Sequence, residues 1–142
     1  MSTESLIGAD EFMELIRREM HLVMADLLSV DRIEAGFARV RLRYDPSQLR
    51  PGATIAGPIL FTLADTALYA AVMSLIGLVP LAVTTDMSIH FLRKPQPRDL
   101  IAEARILKRG KRLVVGAIDL FSDGEEQPVA FATGTYSVPA SD

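Results

Sequence analysis

The 142-residue chain contains no cysteine, no tryptophan and two histidines. Without cysteine there is no disulfide, no thiol nucleophile and no thiolate-held metal. The histidines, His21 and His90, lack metal-binding spacing, so no metal is expected. Aromatic residues are scarce at 6%, and the formal net charge of -3 offers no general attraction to nucleic acid or to an anionic membrane. The first residues, "MSTESLIGADEF", lack a basic stretch followed by an apolar run. No secretory leader is expected, and the expected location is cytoplasmic. No repeat, low-complexity tract or linker interrupts a length typical of one domain.

Apolar residues are abundant, at 49%. That is ample for a core and argues against disorder. They concentrate in "GPILFTLADTALYAAVMSLIGL", residues 57–78, which holds a single charge, Asp65. No charge occurs from Ala67 to Val83, close to the minimum length of a membrane span. However, Gly77 and Pro80 interrupt the run, Asp65 precedes it and no basic cluster flanks it. A helix that is apolar all round, outside a membrane, belongs at the centre of a fold. Pro58 suits its first position, and Gly77 its end.

Upstream, residues Asp10 to Leu28 read as a helix. Phe12, Leu15, Ile16, Met20, Val23 and Leu27 recur at helical spacing, with Asp10 as candidate N-cap. In "FARVRLRY" Ala38, Val40, Leu42 and Tyr44 alternate with arginines, predicting a half-buried strand; "SVDRIE" pairs with it around Gly36. "PSQLRPGATIAGP" reads as a loop. After the central helix come four strand patterns: "VTTDMSIHFLR", "LIAEARILK", "RLVVGAIDLFS" and "VAFATGTYSV". The expectation is one α+β domain over residues 1–142, with an antiparallel sheet wrapped around a long central helix. Residues 1–28 form an N-terminal helical segment and 139–142 a frayed tail. A sheet covers one side of a helix; the other side is expected to meet another subunit.

The run "GATIAGPILFTLADTALYAAV", the strand "AVTTDMSIHFLRKP" and the ending "ATGTYSV" resemble the hotdog fold, specifically the PaaI-like acyl-CoA thioesterases. The resemblance extends from about Phe37 to Val138. It implies that Asp65 is catalytic, as base or nucleophile. It implies that the N–H of Gly57 polarises the thioester carbonyl, and that Thr84, with Thr85 beside it, positions a water. It also implies a homodimer or homotetramer whose sites are shared between subunits, an acyl-CoA substrate, and no cofactor. The chain departs from the family pattern at Ala56, where a His is usual, and at Pro58, where a second Gly is usual. The usual Asn falls on Arg50.

The residues themselves add to this. A carboxylate on an apolar helix is costly unless paired or solvated in a cavity. Gly57 starts that helix, where unpaired N–H groups favour negative charge. Along one helix Asp65 lies about 12 Å of rise from Gly57, too far for one carbonyl to touch both. A partner subunit resolves that. A purely structural Asp65 would instead be capped by Thr62, Thr66 or an interface arginine. Arg50 could donate to an oxyanion or a carboxylate, or equally be a solvated loop residue. Lys108, Arg109, Lys111 and Arg112 surround a turn, with Arg93 and Lys94 at another strand end. These cations suit the phosphates of coenzyme A, or alternatively protect a sheet edge. Phe61, Leu68, Tyr69 and Met73 could line an acyl chamber. No histidine lies in or near the central helix, which disfavours a dehydratase. An acyl-CoA-binding protein with little hydrolysis is the alternative to a thioesterase.

Overall fold

The computed structural model describes residues 4–20 and 24–140. The N-terminal segment is helical in pieces. Helix α1 spans Ala9–Leu15, a π-helical turn spans Ile16–Met20 and a 3-10 turn spans Ala25–Leu27. His21 and Val23 lie outside the described residues. Gly8, not Asp10, is the N-cap: Gly8 N–H donates to Glu11 Oε1 at 3.0 Å, and Asp10 sits in the first turn, where a carboxylate meets the positive end of the helix. The single helix predicted to Leu28 is broken because the chain must reverse into strand β1 (Leu28–Glu34), whose Leu28 pairs with Leu42.

Strand β2 (Phe37–Leu42) completes the predicted hairpin through Gly36, at φ 79°. Inside the expected loop, β3 (Leu49–Arg50) and β4 (Thr54–Ile55) form a separate two-stranded ladder. Helix α2 is Gly57–Ile76, with Gly77 as C-cap at φ 86°. Strands β5 (Val83–Phe91), β6 (Leu100–Arg109), β7 (Leu113–Ser122) and β8 (Ala130–Ser137) follow. They join β1 and β2 in one antiparallel sheet of order β1-β2-β6-β7-β8-β5.

Alternation builds the face toward α2. Ala38, Val40, Leu42, Ala102, Ala104, Ile118, Leu120, Ala130 and Ala132 are all buried. One contact sets how α2 lies on this sheet. Gly116 and Gly134 pair across β7 and β8. A Cβ on either would lie 2.5 Å and 2.7 Å from the two methyl carbons of Leu68. Only glycine leaves the hollow that Leu68 fills.

From Thr66 to Ser74 every residue of α2 is buried. The chain's own N-terminal arm contributes. Phe12 packs its ring edge on Tyr69 at 5.9 Å, and Leu6 N–H donates to the Ser74 carbonyl at 2.9 Å. This corrects the expectation that the uncovered side of α2 needs another subunit along its length: this half is covered within the protomer. The helix is long and apolar enough to cross a membrane by composition, but 67% of its most apolar window is buried. The apolar surface left open lies at its start, where Phe61 is 39% exposed.

Candidate active site

Asp65 lies mid-way along α2, half-buried, at the edge of the tightly packed half. It lines a cleft of ≈ 270 Å³ with Tyr69, Pro80, Ala82, Val83, Thr84 and Tyr136. Two hydroxyls donate to the same carboxylate oxygen: Thr84 Oγ1 to Oδ1 at 2.7 Å, and the Tyr136 phenol to Oδ1 at 2.8 Å. The threonines proposed as structural caps point elsewhere. Thr62 donates to the Pro58 carbonyl at 3.0 Å and Thr66 to the Thr62 carbonyl at 2.8 Å. Among the described residues no cation pairs with Asp65. The two hydroxyls are what make a carboxylate on this helix tolerable.

A bulge delivers Thr84. Thr84 pairs with Tyr136 and Asp86 with Thr135, so Thr85 is an extra residue in β5. The half-buried positions of β5 are Thr84, Met87 and Ile89, a break in the strict alternation. Thr85, grouped with Thr84 by the sequence, is exposed and donates to the Thr135 carbonyl at 3.2 Å, away from Asp65. The bulge therefore separates the two threonines.

Tyr136 escaped the sequence reading, although "ATGTYSV" contains it. The signal was present. Ala130, Ala132 and Gly134 precede it on the inward face of β8, and Tyr136 is the one large polar residue of that series. It is 3% exposed. Burial, reinforced by the charge of Asp65, pushes its phenol well above the ordinary tyrosine value, so it remains a donor.

Gly57 is elsewhere in the protomer. As the first residue of α2 its N–H has no acceptor within the helix. It lines an apolar groove of ≈ 560 Å³ with Pro58, Phe61, Thr62, Ile89 and Phe91. The Phe91 ring lies so close that a Cβ on Gly57 would meet it at 3.3 Å. Thus Gly57 and Asp65 line different clefts of one chain, as the helical rise predicts.

The remaining predicted residues divide. Tyr69 lines the Asp65 cleft and Phe61 the Gly57 groove, whereas Leu68 and Met73 are fully buried core. Lys111 lines a third cavity, ≈ 550 Å³, with Arg109, Gly110, Ile76, Val79 and Val138. This cavity's lining residues Val79 and Val138 are close in sequence to Pro80 and Tyr136, which line the Asp65 cleft. Arg112 is exposed beside it, its carbonyl accepting from Val138 N–H at 2.7 Å. The turn joins β6 and β7, interior strands, so it guards no sheet edge. Arg50 is exposed on β3 and lines none of these cavities. Arg93 is exposed and donates to the Pro128 carbonyl at 3.3 Å; Lys94 is exposed beside Gly52.

A long central helix packed on a six-stranded antiparallel sheet is the architecture of the hotdog fold. The thioesterase superfamily family model matches residues 52–129, and the chain belongs to this superfamily of hotdog-fold hydrolases. It is similar to a candidate thioesterase from a Silicibacter species, at 41% identity over 98% of this chain and 96% of that one, with a TM-score of 0.86. A hypothetical thioesterase protein from Streptococcus pneumoniae, solved with coenzyme A, is 26% identical over 81% of this chain and 88% of its own, TM-score 0.73. A variant of the phenylacetic acid degradation protein PaaI from Thermus thermophilus is 25% identical over 82% and 97%, TM-score 0.72.

Proposed function

We propose that this thioesterase hydrolyses an acyl-CoA to the free acid and coenzyme A, with Asp65 as the general base. The observation that carries this is the carboxylate itself. It is held by two hydroxyls, unpaired by any cation among the described residues, and open to a cleft with room for a water. Asp65 takes a proton from that water as its oxygen attacks the thioester carbonyl. The tetrahedral oxyanion requires a fixed donor. Pro58 has no N–H, which leaves Gly57 as the donor at the helix start. The C–S bond then breaks, and the proton held by Asp65 passes to the departing thiolate.

Because Gly57 and Asp65 line different clefts, the complete site combines Asp65 of one copy with the helix start of a second. Strand β5 is a sheet edge, and Val83, Phe91 and the adjoining Leu92 are 54%, 56% and 51% exposed. An uncovered edge strand with apolar residues at both ends invites pairing, and a second copy of the same strand satisfies it. The third cavity, with Arg109 and Lys111, suits the phosphates of coenzyme A. The coenzyme A-bound neighbour from Streptococcus pneumoniae supports this ligand class.

The test is free-thiol release from a panel of acyl-CoAs. Asp65→Asn is expected to lower kcat by about 100-fold or more with KM little changed, the scale of a lost general base. Wild-type turnover by this variant would sink the mechanism. Absence of turnover by the wild type on every acyl-CoA, with tight binding retained, would favour the acyl-CoA-binding alternative.

A further inference from the structure

We infer that Tyr136 is a positioning residue: its hydroxyl, with that of Thr84, ties down Oδ1 of Asp65 and leaves Oδ2 as the oxygen that takes the proton from water. This rests on the reading of Asp65 as base. A carboxylate can use either oxygen, and its plane can rotate about the Cβ–Cγ bond. Here Thr84 and Tyr136 reach Oδ1 at 2.7 Å and 2.8 Å. The Tyr136 oxygen also lies 3.3 Å from the backbone carbonyl of Asp65. A phenol has one proton to give, and the shorter contact, to the charged group, takes it. Two donors converging on one oxygen hold the carboxylate plane and draw charge toward Oδ1. Oδ2 has no protein partner among the described residues, on a side chain that lines the cleft.

The phenol is itself held from behind. Its ring stacks on Tyr69, centroids 5.5 Å apart and planes 15° from parallel. Tyr69 donates its own hydroxyl to the Pro80 carbonyl at 3.1 Å and receives the edge of Phe12. Three rings in series, from the N-terminal arm to the carboxylate, fix where the Tyr136 proton points. A tyrosine kept only for packing would have no need of its hydroxyl at this place.

Tyr136→Phe deletes the donor and keeps the ring and its stack. In the thiol-release assay it is expected to lower kcat about 10-fold, the size of a lost hydrogen bond to a charged group, with KM within about twofold. In the Asp65→Asn background the same change is expected to cost less than about twofold, since no base remains to be held. Wild-type kcat for Tyr136→Phe, or the same tenfold loss in both backgrounds, would overturn the inference while leaving Asp65 as base. Wild-type kcat for Asp65→Asn alone would instead strike the reading of Asp65, and the role of Tyr136 would fall with it.

Discussion

Thr84 and Thr85 carry the same hydroxyl one residue apart, and one bulge in β5 decides between them. Only Thr84 reaches Asp65; Thr85 is satisfied by the backbone of β8. Valine has the shape of threonine without the hydroxyl. Thr84→Val is therefore expected to lower kcat about 10-fold, as a hydrogen bond to a charged acceptor is lost, and to cost clearly more than Thr85→Val. Thiol release from one acyl-CoA under identical conditions measures both, and the reverse order would refute the assignment. The family resemblance singled out Thr84, with Thr85 beside it; residue type alone does not separate two adjacent threonines, and a bulge leaves no mark in it. Asp65 was legible for the opposite reason: one charge in an apolar run has no neighbour to be confused with. Tyr136 was legible in principle, as the inward residue that ends a series of small ones on β8.

At the scale of elements, the long helix and the strands were readable because their apolar patterns are strong and their ends carry Gly and Pro. The N-terminal helix was not, since its apolar spacing continues through the change from α to π geometry at Ile16 and into the 3-10 turn at Ala25 that leads into β1. Nor was the seating of α2, which depends on two glycines 18 residues apart in sequence that become partners only in the sheet. That seating matters to the site, because Leu68 is one turn from Asp65 on the same helix. A methyl at Gly134 would press on Leu68 at 2.7 Å and on Met87 at 3.0 Å. Gly134→Ala is expected to destabilise the fold by about 1–3 kcal/mol, the usual cost of overpacking. Urea unfolding followed by circular dichroism should show a lower midpoint at unchanged slope. An unchanged midpoint would mean that α2 shifts on the sheet at little cost.

The whole molecule has two unlike sheet edges. Strand β1 carries three exposed charges, Asp31, Arg32 and Glu34, which discourage pairing; β5, bulged like β1, exposes one, Asp86. Strand β5 presents Val83 and Phe91 and stands next to the open start of α2, where Phe61 emerges. Light scattering at micromolar concentration is expected to give at least twice the 15.5 kDa chain mass; a monomer would contradict the shared site. The arm carrying Phe12 has a practical consequence. The recognisable stretch of the family, residues 52–129, and the part that can stand alone are different objects. A chain trimmed to that stretch would lack the arm, β1, β2 and β8. It would lose half the strands of the main sheet, the ring that backs Tyr69 and the tyrosine that touches Asp65. Anyone shortening this protein, or fusing another to its front, should treat residues far from the signature as part of the candidate active site.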